Sequence, residues 1–423
     1  MITRDACVAR DREDPLAPLR DLFELPAGKI YLDGNSLGAL PRATAGRVAS
    51  VVAAEWGRDL VTSWNKAGWM DLPRRVGDKI ARLIGAAPGE VIAADSTSVN
   101  LYKALSAAAA VQGRRRPGRR VILSERSNFP TDLYIAHSLC ESLGWTLRLV
   151  ETQEIEAQLA DDVAVLMLTH VNYRTGRMHD LAGLTATAHA AGALVVWDLA
   201  HSAGAVPVDL NGARADFAVG CGYKYLNGGP GAPAFVFARA DHAEAATQPL
   251  AGWLGHAAPF AFTPGYRPAP GMTRYLCGTP PILSLAALDC GVDTVLAAEP
   301  LGGIAAIREK SLALCGLFEE LVRERCPDAG FALVSPADPA RRGSQICLTR
   351  AEGGYAIVQA LIAQGVIGDF RAGDADMPDI LRFGFTPLYT RYVDVFDAVD
   401  RLAEVMAKET WRSPDFARRH AVT

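Results

Sequence analysis

Several things are missing from this 423-residue chain, and each absence narrows its chemistry. Its eight cysteines include no C-x-x-C pair. That argues against a zinc site or a disulfide framework and for buried thiols in a reducing cytoplasm. No run approaches the roughly 20 apolar residues of a membrane span, and the opening MITRDACVARDRED is too polar and acidic for a signal peptide. A net charge of −4 carries no basic bias, so no basic patch and no nucleic-acid partner are expected. There is no low-complexity tract, no internal repeat, and no phosphate-loop or dinucleotide glycine signature. What remains is 50% hydrophobic and 21% charged, enough for a large buried core and a smaller second domain.

The middle of the chain alternates short apolar runs with helical patterns: VILSE (121–125), WTLRLV (145–150), VAVLMLTHV (163–171), ALVVWDLAH (193–201), DFAVGCG (216–222) and APAFVFAR (232–239). β-rich runs separated by helices imply an α/β fold whose mostly parallel central sheet is flanked by helices. Ligands of such sheets bind beyond the carboxyl ends of the strands. After Pro280 come long helical patterns, then GSQICLT and ILRFGFTPLY as strands of a smaller C-terminal α+β domain. The expected division is an N-terminal segment 1–65 packing with the small domain, a large domain 66–285, and the small domain 286–423.

GNSLG (34–38) spells the G-x-S-x-G of a nucleophile elbow. An elbow needs a helix starting at its serine, and Pro41 would disrupt one. The stretch therefore reads as a tight loop. Ser63-Trp-Asn-Lys66 matches S-x-x-K, but no K-T-G accompanies it.

The stronger signal is DFAVGCGYKYLNGGPG, in which a β-run ends in glycines and presents Tyr223 and Lys224. Glycines leave backbone room for a planar ligand, and flanking apolar strands partly desolvate an amine, favouring a Schiff base. In LVVWDLAHSAG, Asp198 and His201 end another apolar strand. An acid there could pair with a pyridinium nitrogen, keeping the ring an electron sink; unpartnered, it would be costly to bury. Such a coenzyme also needs a phosphate cradle. Asp95-Ser-Thr-Ser98 precedes the helical VNLYKALSAAAA, whose amino end favours an anion. Phe129, Pro130, Thr131 and Asp132 follow VILSE, and Thr169 ends VAVLMLT.

With YLDGNSLG, STSVNL, NFPTD, VNYRTG, DLAHSAG, GCGYKYLNGGPG, GWLGH and LRFGFTPLYTRYVD, the chain resembles pyridoxal-5'-phosphate enzymes of fold type I in the class V aminotransferase group, and more closely the kynureninases. The motifs run from residue 31 to about 394. The resemblance implies hydrolytic Cβ–Cγ cleavage of L-kynurenine to anthranilate and L-alanine. It implies that Lys224 carries the cofactor, that Asp198 binds the pyridine nitrogen beside His201, and that Phe129 stacks on the ring. Thr97, Ser98, Thr169, Asp132 and Tyr223 would hold the phosphate and edges, with Tyr223 also a proton carrier. Trp253 and Thr279 match positions that reach the phosphate from a neighbouring subunit, implying a homodimer. Arg382 would clamp the substrate carboxylate, a task suited to a guanidinium fork. Asn35 and Ser36 would close the site mouth. Trp64 and Gly278, where animal relatives carry more polar residues, imply an apolar ring pocket preferring L-kynurenine over 3-hydroxykynurenine. The nearest rival is a cysteine desulfurase or a small-amino-acid aminotransferase on the same fold. A desulfurase needs a mobile cysteine, whereas Cys347 sits in an apolar run. A non-catalytic cofactor-binding protein is the remaining alternative.

Overall fold

Seven apolar runs hydrogen-bond into one sheet: β1 (Val91–Ala94), β2 (Val121–Glu125), β3 (Thr146–Val150), β4 (Val163–Thr169), β5 (Leu194–Asp198), β6 (Phe217–Gly220) and β7 (Ala234–Ala238). These coordinates come from a computed structural model, which describes residues 2–374 and 377–419. The spatial order is β1-β7-β6-β5-β4-β2-β3. Only β7 runs against its neighbours, so the other six strands point the same way. All strands but β3 are buried along their whole length, which is why they read as continuous apolar runs rather than alternating ones.

Three helices used below are α1 (Thr97–Arg115), α2 (Pro130–Leu143) and α3 (Leu181–Ala190). Ser96 caps α1 by accepting from the Val99 amide, which satisfies one orphan donor of the first turn. Proline at the first position of α2 loses no hydrogen bond, and Gly144 ends that helix at φ +64°. α1 lies across β4 to β7 with Leu101, Ala104, Leu105 and Ala108 buried. The sheet belongs to a unit formed by Ala43–Asn172 and His179–Asp293.

At the amino edge of this sheet Asp216 is fully buried. It accepts from His189 Nε2 and the Val195 amide at 2.8 Å each, from His242 Nε2 at 2.8 Å, and pairs with Arg239 at 3.1 Å. Burial opposes its charge, but the hydrogen bonds from His189 and His242 prevail and hold its carboxyl well below the usual carboxylate range. A depressed pKa stabilises the fold above the unfolded pKa of about 3.9 and is lost as pH falls through the folded value. Asp216→Ala is expected to cost about 3–5 kcal/mol at neutral pH, read as a lower urea midpoint, because it strands the buried His242 and Val195 amide and removes the partner of His189 and Arg239.

The second unit comprises Met1–Arg42, Tyr173–Met178 and Thr294–Thr423. Its antiparallel sheet has the order β8 (Ala332–Leu333), β9 (Gln345–Thr349), β11 (Ile380–Gly384), β10 (Asp369–Arg371). Helices Gly303–Arg325, Gly354–Ala363 and Tyr392–Ala407 cover it, with Phe318, Leu321, Ile357, Phe383 and Val399 in the core. The N-terminal pair Ile30–Tyr31 adds in parallel to Val366–Ile367, and Asp33 bridges to Gly384. Among the described residues no helix is long and apolar enough to cross a membrane.

Candidate active site

Because six strands of the large sheet are co-directional, their carboxyl ends gather on one edge. There β4 ends in Thr169 and β5 in Asp198, direct neighbours in the register. α1 starts from this edge, after β1. The loop after β2 supplies Asn128, Phe129 and then Asp132 in the first turn of α2. The loop after β6 supplies Tyr223 and Lys224.

The side chains converge on Thr169. Its hydroxyl donates to Asn128 Oδ1 and lies 3.3 Å from Asp132 Oδ2 and 3.5 Å from Asp198 Oδ2. Asn128 is held by Ser124 Oγ at 3.1 Å. The Ala200 amide donates to Asp198 Oδ1 at 2.8 Å. Lys224 Nζ is 2.8 Å from His201 Nε2 and 5.8 Å from the centre of the Tyr223 ring. Asp198, Asp132 and Thr169 are all buried. Burial raises the Asp198 pKa, opposed by the Lys224 charge. Asp132 is raised well above the usual range by burial and then by Asp198 itself.

Two buried carboxyls beside one lysine form an electrostatically hungry site, and a cation against Asp198 is what it calls for. The protonated pyridine nitrogen of pyridoxal phosphate meets that need, Lys224 suits the aldehyde, and Thr97 and Ser98 in the first turn of α1 suit the phosphate. The donor set fits the cofactor. A pH dependence follows. An acid with a raised folded pKa loses stability as pH climbs above its unfolded value, about 3.9, through the folded one. The cofactor-free protein should therefore weaken with rising pH from about pH 4. Asp132→Asn should flatten that slope in urea titrations.

Of the other residues singled out, Phe129 stands at the N-cap position of α2 and is 41% exposed. Trp64 and Trp253 meet edge to face at 6.4 Å, next to Trp69 and Phe260. Gly278 and Thr279 lie exposed in the loop before the helix Ile282–Leu296. The S-x-x-K match dissolves: Ser63 is buried, donating to the Glu55 carbonyl at 2.5 Å, while Lys66 pairs with Asp59.

In the second unit, Arg382 and Asp369 are cross-strand partners on β11 and β10. One guanidinium nitrogen of Arg382 bonds Asp369 and also donates to Ser36 Oγ at 2.6 Å; the other donates to the Tyr173 carbonyl at 2.8 Å. Arg371 pairs with the same Asp369 oxygen at 2.8 Å. Ser36 is thus held by arginines and a carboxylate in a turn closed from its amide to the Asp33 carbonyl at 2.9 Å. That is not the setting of a hydrolase nucleophile. Gly34 is needed there because a Cβ would come within 2.1 Å of Thr386 Oγ1. Asn35 is buried and reaches Gln345 at 3.5 Å. Burial, then Asp369, push the Asp33 carboxyl up to about 7 against the pull of Arg382. Cys347 is fully buried in β9, its thiol raised by burial, a poor sulfur acceptor.

Asn128, Asp369, Arg371 and Tyr173 were not singled out from sequence. For Asn128 there was a signal, since it immediately precedes FPTD at a strand end. For the others there was none short of knowing the strand pairing.

The architecture matches that of solved structures. One is a cysteine desulfurase from Thermococcus onnurineus NA1, with a TM-score of 0.76 and 18% identity over 92% of this chain and 98% of that one. Another is a C-DES mutant with glycine linked covalently to its PLP cofactor, with a TM-score of 0.75 and 18% identity over 91% of this chain and 99% of that one. Fold and site together define a pyridoxal-phosphate enzyme of fold type I. A kynureninase from Burkholderia pseudomallei (strain 1106a) is 57% identical over the full length of both chains, and one from Pseudomonas fluorescens is 55% identical over the same span. The kynureninase C-terminal domain model matches residues 307–402. The chain belongs to the kynureninase family.

Proposed function

We propose that this protein hydrolyses the Cβ–Cγ bond of L-kynurenine, giving anthranilate and L-alanine, as a step of tryptophan degradation. The observation that carries this reading is the end-to-end relationship to kynureninases, at 57% identity without a gap in coverage. When bound, pyridoxal phosphate supplies a cationic ring that draws electrons from the substrate's α-carbon. The protein's own groups do the rest. Asp198 keeps a proton on the ring nitrogen, and its buried setting makes that charge pairing strong. Lys224 holds the cofactor covalently. Its Nζ would take the substrate's α-proton, with His201 Nε2 at 2.8 Å to receive or return a proton. The Tyr223 hydroxyl moves protons in the later steps, in which water adds to the γ-carbonyl.

Phe129 would hold the ring face, Pro130 and Thr131 its edge, and Thr97 and Ser98 the phosphate. Arg382 takes the α-carboxylate, exchanging its bonds to Ser36 and Tyr173 while Asp369 keeps Arg371 as counter-ion. Trp64 and Gly278 line the place of the aryl ring. The reading also takes the protein as a cytoplasmic homodimer, with Trp253 and Thr279 serving the neighbouring subunit's cofactor.

Product analysis with L-kynurenine and 3-hydroxykynurenine tests this. Anthranilate fluorescence with the former should dominate, and Trp64→His should shift the ratio of kcat/KM values toward 3-hydroxykynurenine by about tenfold. Release of sulfide from cysteine with no anthranilate would establish desulfurase chemistry instead.

A further inference from the structure

A second concavity, of about 310 Å³, lies at the amino edge of the large sheet, away from the edge that carries Lys224 and Asp198. The segment RRRPGRR (114–120) ends α1 there. Two of its arginines are spent on the fold. Arg114 donates to the Ala245 carbonyl at 2.5 Å, and Arg119 to the Val163 carbonyl at 2.8 Å. Arg115 and Arg116 instead line the concavity, joined by Arg214 from before β6 and Arg239 from after β7. The expectation of no basic patch is corrected here: folding brings distant arginines to one hollow.

The charges in this hollow are not balanced. Among the described residues Asp216 is the only carboxylate on the wall, and its oxygens are already engaged by His189, His242, Arg239 and the Val195 amide. Outside the wall, Asp241 is held by Arg239 at 2.7 Å and feels Arg115 only at longer range. Among the described residues, the guanidinium groups of Arg115, Arg116 and Arg214 make no hydrogen bond or ion pair. The end of a helix favours cations, which accounts for Arg115 and Arg116, and Asp216 and Asp241 account for Arg239, but neither accounts for Arg214. Arg214 is also held in the left-handed region, φ +57°, with its carbonyl bound by Arg239 at 2.6 Å. Few non-glycine residues adopt that conformation.

We infer that this hollow binds a compact oxyanion of at least two negative charges, of the pyrophosphate or polyphosphate class. Guanidinium forks match phosphoryl oxygens in pairs, and the volume suits a small ligand. A nucleic acid would need an extended basic track rather than arginines gathered around one open hollow. The site goes beyond the proposed reaction and shares none of its residues.

Calorimetric titration of the cofactor-loaded enzyme with pyrophosphate, at ionic strength fixed with chloride, tests the inference. Wild type and Arg120→Ser should bind one pyrophosphate per chain. Arg115→Ser/Arg214→Ser should weaken binding at least about tenfold, with the single variants in between. An unchanged visible absorbance of bound cofactor would show that each variant is folded and that its coenzyme site is intact. Heats no larger than for chloride would overturn the inference, as would equal binding by the double variant. Retention of duplex DNA without pyrophosphate binding would overturn it too, and would indicate a nucleic-acid surface.

Discussion

Lys224→Ala is expected to lower kcat/KM for L-kynurenine by at least about a thousandfold, because one side chain serves as both covalent anchor and proton carrier. Activity alone would not prove the assignment, since any collapse of the site would abolish it. A second readout is independent of turnover. Borohydride treatment of cofactor-loaded wild type should fix the coenzyme on the peptide containing residue 224, and the variant should show no label there. Label on another lysine of wild type would remove Lys224 from its role. The geometry explains why this lysine suits the task. It stands 2.8 Å from His201, and its charge favours the ionised form of the buried Asp198 against the effect of burial. Both belong to the edge where the parallel strands end.

Arg382→Ala should raise KM for L-kynurenine about a hundredfold, about 2.7 kcal/mol of lost binding, with a smaller effect on kcat. Arg382→Lys should recover only part of it, since an ammonium cannot present the planar fork. The variant also leaves Asp369 buried with Arg371 as its remaining cation, so a fall in urea midpoint is expected beside the kinetic change. An unchanged KM in a folded Arg382→Ala protein would show that the guanidinium serves only the strand pair β10–β11.

Much of the candidate site was legible in the linear sequence. The strands of the large sheet are covered on both faces, so each appears as an unbroken apolar run, and the first polar residue after it marks the edge where ligands bind. Thr169, Asp198 and Lys224 could be picked out that way one by one. The amino end of α1 was legible for a similar local reason, since a serine cap followed by small polar residues announces itself within four positions. The loop reading of GNSLG rested on Pro41, visible in the linear sequence.

What joined these pieces was not local. Thr169 faces Asp198 because β4 and β5 are parallel neighbours in a particular register. Asp132 has its pKa raised because folding buries it and α2 brings it against Asp198, 66 residues away in the chain. Arg382 acquires its counter-ion through the pairing of β10 with β11, and the arginine hollow is assembled from α1 and two distant loops. The sequence by itself determined which residue types stand at strand ends and helix starts, since backbone periodicity and capping act over a few residues. The tertiary structure alone decided which of them share a dielectric environment. Strand order and register set the distances between charges, and electrostatic interaction depends on those distances and on burial.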